Sequence, residues 1–240
     1  MTPRVFINGT LAVGNPVVLA ADAANHVCRV LRLKIGSEVT VFNGQGGEFK
    51  GTIISVVKPV KVLLDEFFVP DRESKLNLRL IQGISRADRM DFTIQKAVEL
   101  GIKTIQPVVT KLGEVKLKLD RVTKKMEHWH RVIISAMEQS KRCVLPQLLP
   151  VKPLAEVKLS DLTGIKLVLD PSAKARISEV SGDNQELTIL VGPEQGLSEA
   201  EITRAQASGF YAVNLGPRIL RTETAAIAAI SALQARWGDF

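Results

Sequence analysis

The sequence predicts an α/β protein in two parts, a small and mostly β module ahead of an open, parallel α/β sheet. Three observations carry that expectation. The first 70 residues hold only short apolar runs separated by turn residues; Pro70-Asp71-Arg72-Glu73-Ser74 forms a polar, proline-led break; and beyond it, strand-like runs alternate with helix-period segments as far as the C-terminus.

In the first part, strands are expected at Val17-Val18-Leu19, Glu38 to Phe42, Phe49 to Val57 and Val60 to Leu64, with one short helix from Ala21 to Leu31. Asn43-Gly44-Gln45-Gly46-Gly47 separates two of these strands and predicts a hairpin, because its residues tolerate positive φ. A barrel or curled sheet is the expected form. After the break, Leu76 to Ile84 reads as a strand, Asp88 to Leu100 as a helix ended by Gly101, and Ile102 to Val109 as a strand; further strands follow near Ile165 to Leu169, Leu187 to Val191 and Tyr211 to Leu215. Between about Asp120 and Ser140, Val122, Met126, Trp129, Ile133 and Met137 recur at three- and four-residue spacing, the core-facing stripe of an amphipathic helix. Ser198-Glu199-Ala200-Glu201 is a capping box that fixes a helix start, and Thr222 is placed to cap another.

The 240 residues suffice for a sizeable core, with 45% hydrophobic and 24% charged residues. No apolar run reaches the length of a membrane span, and Met1-Thr2-Pro3-Arg4-Val5 lacks the layout of a secretion signal. Cys28 and Cys143 stand apart and outside any C-x-x-C pattern, so a reducing, cytoplasmic location is expected. The formal charge is +7, and residues 111 to 142 alone carry 9 Lys/Arg against 4 Asp/Glu. Such a basic segment suits a polyanion such as RNA, or equally a solvated helix face.

Several chemistries lack their residues. His128 and His130 lie two apart on a helix and point different ways, and no cysteine or carboxylate cluster completes a metal site, so no metal is expected. There is no G-x-G-x-x-G, Walker loop or G-x-S-x-G. What stands out instead is a pair of Gly/Pro corners, each between a strand-like run and a helix start. One is Leu190-Val191-Gly192-Pro193-Glu194-Gln195-Gly196-Leu197-Ser198; the other is Leu215-Gly216-Pro217-Arg218-Ile219-Leu220-Arg221-Thr222-Glu223-Thr224-Ala225. Glycine lets backbone groups approach a ligand, so the corners read as walls of a small-molecule pocket or as two ordinary turns.

These corners closely resemble the signature loops of the ribosomal RNA small subunit methyltransferase E family, and the resemblance extends over nearly the whole chain. Asn25-His26-Val27-Cys28-Arg29-Val30-Leu31-Arg32, Asp91 to Gly101, and Glu138-Gln139-Ser140 with Arg142 and Pro146 resemble its other motifs, in order. The resemblance implies a PUA-like β-barrel for RNA over residues 1–71 and a SPOUT-type α/β trefoil-knot methyltransferase domain over residues 74–240. It implies S-adenosyl-L-methionine as methyl donor, N3 of a decoding-region uridine in 16S rRNA as acceptor, and a homodimer that completes the active site. Ribose 2′-O or another base is the alternative acceptor for the same fold and donor.

For the donor, the resemblance points to Leu169, Leu190, Gly192, Pro193, Glu194, Gly196, Leu215, Gly216, Ile219, Leu220 and Thr224. Arg221 is expected to face the uracil, with Glu223 or Glu138 accepting the N3 proton. Arg29, Arg32, Arg86, Arg89, Lys96, Arg131 and Arg142 are the expected RNA-binding residues. One position departs from the family pattern, which has glycine where this chain has Gln195; a positive φ there would strain the glutamine by about 1 to 2 kcal/mol.

Overall fold

In the first part of the chain, short β-branched runs pair into a five-stranded sheet. The structure is a computed structural model that describes residues 2–113, 119–182 and 186–240, the side chains of Leu119 and Asp120 excepted. The sheet contains β1 (Arg4–Phe6), β2 (Pro16–Val18), β3 (Glu38–Phe42), β4 (Glu48–Ser55) and β5 (Lys61–Phe68) in the order β1-β3-β4-β5-β2. The Asn43–Gly47 segment makes the β3–β4 hairpin, with Gly44, Gly46 and Gly47 all at positive φ. Val39, Val41, Ile53, Val62 and Leu64 alternate inward along the strands to form the core, joined by Val27. The single helix expected from Ala21 to Leu31 is instead a short α-helix, α1 (Ala21–Asn25), followed by a π-helical turn over His26–Val30. The strand β1, in parallel with β3, has no counterpart among the sequence expectations.

The second sheet is entirely parallel, as the strand–helix alternation implies. It holds β6 (Asn77–Gly83), β7 (Thr104–Val109), β8 (Gln147–Leu148), β9 (Lys152–Pro153), β10 (Ile165–Leu169), β11 (Glu186–Val191) and β12 (Tyr211–Val213). The order is β12-β10-β11-β6-β7-β8, with β9 pairing beside β8 on β7. The central strands β6 and β11 are buried along nearly their whole length, as strands covered on both faces must be. The helices are α2 (Ala87–Glu99), α3 (Leu119–Ser140), α4 (Glu199–Ala207) and α5 (Thr222–Trp237). Gly101 ends the α2 segment at φ +86°, with its N–H on the Val98 carbonyl. Trp129, Ile133 and Met137 of the α3 stripe are fully buried.

The chain divides after Glu73 into two compact units. One comprises Met1–Glu73 with Met137–Leu145, and the other Ser74–Ala136 with Pro146–Phe240. The return of residues 137–145 to the first unit has visible causes. Glu73 accepts the N–H groups of Cys143 and Val144 at 2.9 and 3.0 Å and pairs with Arg142 at 2.8 Å; Leu145 N–H donates to the Gly44 carbonyl. Buried Glu48 pairs with Arg4 and with Arg72, and burial lowers the pKa of the Arg4 guanidinium.

Replacing Trp129 by alanine is expected to cost about 3 to 5 kcal/mol of stability, read from a denaturant melt, because a large ring only 1% exposed leaves a cavity that its neighbours cannot refill.

Candidate active site

The strands β10, β11 and β12 of the parallel sheet end together at Leu169, Val191 and Val213, and the loops that follow them wall a cavity of about 500 Å³. Ligands of open α/β sheets bind at this carboxyl edge. The cavity is lined from Leu169 to Pro171, from Val191 to Leu197, and from Val213 to Thr222 apart from Pro217, with Arg89, Ile202 and Ala225 completing it. Both Gly corners are thus parts of one site.

A buried set of polar groups holds the two corners together. The Thr222 hydroxyl donates to the Gly192 carbonyl at 2.6 Å, and the side-chain amide of Gln82, at the end of β6, donates to the Thr222 hydroxyl at 3.0 Å and to the Gly83 carbonyl at 3.0 Å. Thr222 is therefore not a helix cap: it is the first residue of α5, whose N-cap is Arg221 with no side-chain capping bond. Ser198, by contrast, does cap α4, with its N–H on the Glu201 carboxylate at 2.8 Å.

Close backbone approach fixes the first corner further. A Cβ on Gly83 would lie 2.5 Å from the Pro193 ring, and one on Gly192 would lie 2.7 Å from the Gly196 backbone, so neither position admits a side chain without displacing the loop. The positive φ in this corner falls on Gly196, at +75°, and not on Gln195, which is exposed and does not carry that strain. In the second corner Gly216 turns at φ +107°, its N–H on the Asn214 side chain at 2.9 Å.

Glu194 reaches outward from the first corner, accepting the Arg86 N–H at 3.0 Å and pairing with Arg89 at 3.5 Å. It therefore ties the loop to the start of α2. Among the described residues, no group of the chain takes the main-chain N–H of Leu215, Ile219 or Leu220, so these donors remain for a ligand. Carboxylates of Asp170 and Glu194 and guanidiniums of Arg89, Arg218 and Arg221 give the lining both signs of charge.

A second, open hollow of about 550 Å³ is formed by Asp88, Arg89, Phe92, Arg221, Glu223 and Thr224. Arg89 and Arg221 line both spaces. One carboxylate oxygen of Glu223 is buried with no hydrogen-bond partner among the described residues.

Of the residues expected to hold a donor, Leu169, Gly192, Pro193, Glu194, Gly196, Leu215, Gly216, Ile219 and Leu220 line the 500 Å³ cavity. Two do not. Leu190 is buried in the sheet between Val168 and Ile81, and Thr224 lines the second hollow. Glu138 lines neither space: its carboxylate accepts the Phe6 N–H at 3.1 Å within the first unit. Arg142 is 3% exposed and paired with Glu73, so its guanidinium is already committed and not offered to a phosphate. Arg29, Arg32, Arg86 and Arg131 are exposed, whereas Lys96 pairs with Glu99. Asp170, Asn214 and Gln82 are absent from the sequence expectations; Asp170 was accessible to reasoning, being a carboxylate just past the end of a parallel strand.

The fold and this site define an RNA methyltransferase. A family model described as an RNA methyltransferase domain matches residues 72–234, and one described as an RNA methyltransferase PUA domain matches residues 19–62. The ribosomal RNA small subunit methyltransferase E of Buchnera aphidicola (Schizaphis graminum) is 35% identical, over 99% of this chain and 97% of its own. The crystal structure of a ribosomal RNA small subunit methyltransferase E from Neisseria gonorrhoeae bound to S-adenosyl methionine superimposes with a TM-score of 0.92 at 37% identity, covering 100% of both chains. A putative methyltransferase of Legionella pneumophila in complex with the same cofactor gives 0.92 at 36%, again over 100% of both. The chain belongs to the ribosomal RNA small subunit methyltransferase E family. Its fold class is that of an α/β RNA methyltransferase domain preceded by a PUA domain.

Two outcomes follow from these bonds. Thr222→Val removes the hydroxyl and with it two buried bonds, leaving the Gly192 carbonyl only the longer bond from the Gln82 amide at 3.4 Å, and a loss of about 1 to 3 kcal/mol is expected in equilibrium unfolding. Burial also raises the Glu138 carboxyl above its ordinary 4.5, against the opposing Phe6 N–H and the charges of His26 and Arg4. The folded state therefore binds this proton more tightly than the unfolded chain, and the contribution to stability is full below pH 4.5 and declines as pH rises through the raised value. Glu138→Gln keeps an acceptor for Phe6, so urea midpoints should show the variant gaining on the parent protein as pH rises above 4.5.

Proposed function

We propose that this chain transfers a methyl group from S-adenosyl-L-methionine to N3 of a decoding-region uridine in the 16S rRNA of the small ribosomal subunit. The observation that carries this reading is the pair of adjoining spaces, one walled by the Gly corners and a more open one lined by Glu223, with Arg221 common to both.

The space walled by the Gly corners fits the donor. Leu169, Val191, Leu197, Val213, Leu215 and Leu220 supply apolar walls for a purine, and the unclaimed N–H groups of Leu215, Ile219 and Leu220 supply donors for its polar edge. Lining charges of both signs suit a ligand carrying a sulfonium, an ammonium and a carboxylate. When bound, S-adenosylmethionine provides the methyl group on its cationic sulfur.

The chain's own residues then have three tasks. Positioning comes first, because two reactants held in line need little else from the protein, and it falls to the corners locked by Thr222 and Gln82. Removal of the uracil N3 proton falls to Glu223, the carboxylate that lines the second hollow beside Arg221. Negative charge spreads onto the carbonyl oxygens beside N3 as that proton leaves, and Arg221 stabilises it. Glu194 keeps its structural bonds to α2, and Glu138 stays with Phe6.

RNA recognition is assigned to residues 1–71 together with exposed Arg29, Arg32, Arg86 and Arg131, and methyl transfer to residues 74–240. A homodimer belongs to the same reading, supported by α5, where Ala225, Ile227, Ala228 and Ser231 leave a half-buried face of small and apolar side chains. Residence in the cytoplasm accords with its substrate and with the free thiols of Cys28 and Cys143.

Labelled S-adenosylmethionine and small subunits that lack the modification should yield one methylated uridine, located by nucleoside mass spectrometry and primer extension. Methyl on a ribose or on another base would overturn the assignment. In Arg221→Ala, turnover should fall by at least about a hundredfold, with donor affinity in isothermal titration changed less than about threefold.

A further inference from the structure

A third hollow, of about 230 Å³, lies against the second Gly corner, lined by Pro171, Lys174, Arg176, Asn214 and residues 216–219. Its charged groups are Lys174, Arg176 and Arg218, with no carboxylate among the lining residues. None of the three cations makes an ion pair among the described residues, and the nearby Glu179 carboxylate takes the main-chain N–H of Arg176 at 3.0 Å. Three cations around one small space, with no carboxylate among its lining residues, give it a local positive potential that attracts an anion.

The hollow is built rather than incidental. Asn214 clips the segment carrying Lys174 and Arg176 to the strand end, its side-chain amide donating to the Ala173 carbonyl at 2.7 Å and its N–H to the Ala175 carbonyl at 2.9 Å. The Asn214 carbonyl accepts the Ile177 N–H at 3.0 Å, and its side-chain oxygen accepts the Gly216 N–H at 2.9 Å. One residue thus fixes both the cation-bearing segment and the corner that walls the donor cavity.

We infer that Lys174, Arg176 and Arg218 form a phosphate subsite, which takes one backbone phosphate of the RNA substrate beside the target nucleotide. The inference rests on the reading of the chain as an enzyme that acts on RNA. The size of the hollow suits a single phosphate, and guanidinium and ammonium donors are the usual partners of its oxygens. Because Gly216, Arg218 and Ile219 border both this hollow and the donor cavity, a phosphate seated here anchors the donor loop from outside.

The test is a double variant, Lys174→Gln with Arg176→Gln; both side chains are exposed, so the fold is retained. Filter binding of unmodified small subunits at several salt concentrations should show weaker binding and a shallower dependence, the log–log slope falling by about 0.7 to 0.9 for each phosphate no longer neutralised. Donor affinity in isothermal titration should stay within about twofold, and Lys174→Arg with Arg176→Lys should keep the parent slope, since both cations are retained. An unchanged slope in the glutamine variant overturns the subsite. So does a large loss of donor affinity, since it would assign these cations to the donor's carboxylate. The binding readout does not require turnover, so methylation by the parent protein at some other nucleotide would defeat the uridine assignment while leaving the subsite standing.

Discussion

The hydrogen bond from the Thr222 hydroxyl to the Gly192 carbonyl is the constraint on which the site depends. It joins the start of α5 to the loop after β11, across 30 residues of sequence, and Gln82 completes it from a third element. All three groups are buried, where a polar atom without a partner costs about 1 to 3 kcal/mol, so the set is stable only when complete. With it complete, Gly192 can sit against Gly196, and Gly83 against Pro193, at distances that exclude any Cβ. The cavity exists because those backbones are held together on one side of it.

Charge is distributed around this frame with a division of labour. Carboxylates that are needed for shape are engaged: Glu194 with Arg86 and Arg89, Glu201 with Ser198 and Lys111, Glu73 with Arg142. Among the groups assigned to chemistry or to RNA, Glu223 has one buried oxygen with no hydrogen-bond partner among the described residues, and Lys174, Arg176 and Arg218 have no carboxylate among the residues lining their hollow. An ion pair already satisfied in the fold has little left to offer a substrate, because breaking it forfeits the pairing that offset its desolvation. Arg142 illustrates the distinction. It counts as a basic residue in a basic segment, yet its charge is committed to Glu73.

The same logic explains Glu138. Its neighbours in sequence resemble a motif, which made it a reasonable candidate for the base, but its side chain holds the Phe6 amide in the first unit. Sequence proximity to Arg142 reflects a shared structural task there, since Glu73, Arg142 and Cys143 are bonded in the same unit. The return of Met137–Leu145 to that unit left no trace in periodicity, because α3 runs on through the boundary with its apolar stripe intact.

Periodicity and turn chemistry, by themselves, determined most of the elements. The alternation after residue 74 yields the parallel sheet, Gly101 closes α2, Ser198 opens α4 and the Asn43–Gly47 glycines make the hairpin, because each depends mainly on neighbours close in sequence. The two Gly corners were legible as a site, since few other arrangements call for so many small residues beside Arg221 and Glu223. Tertiary structure alone decided which groups are engaged and which are open. Whether Thr222 caps a helix or locks a loop, whether Gln195 or Gly196 takes the positive φ, and whether Arg142 or Arg218 is available to an anion all depend on partners distant in sequence. Local sequence sets the backbone's preferences, but a side chain's bonds form only when burial brings its partner within reach.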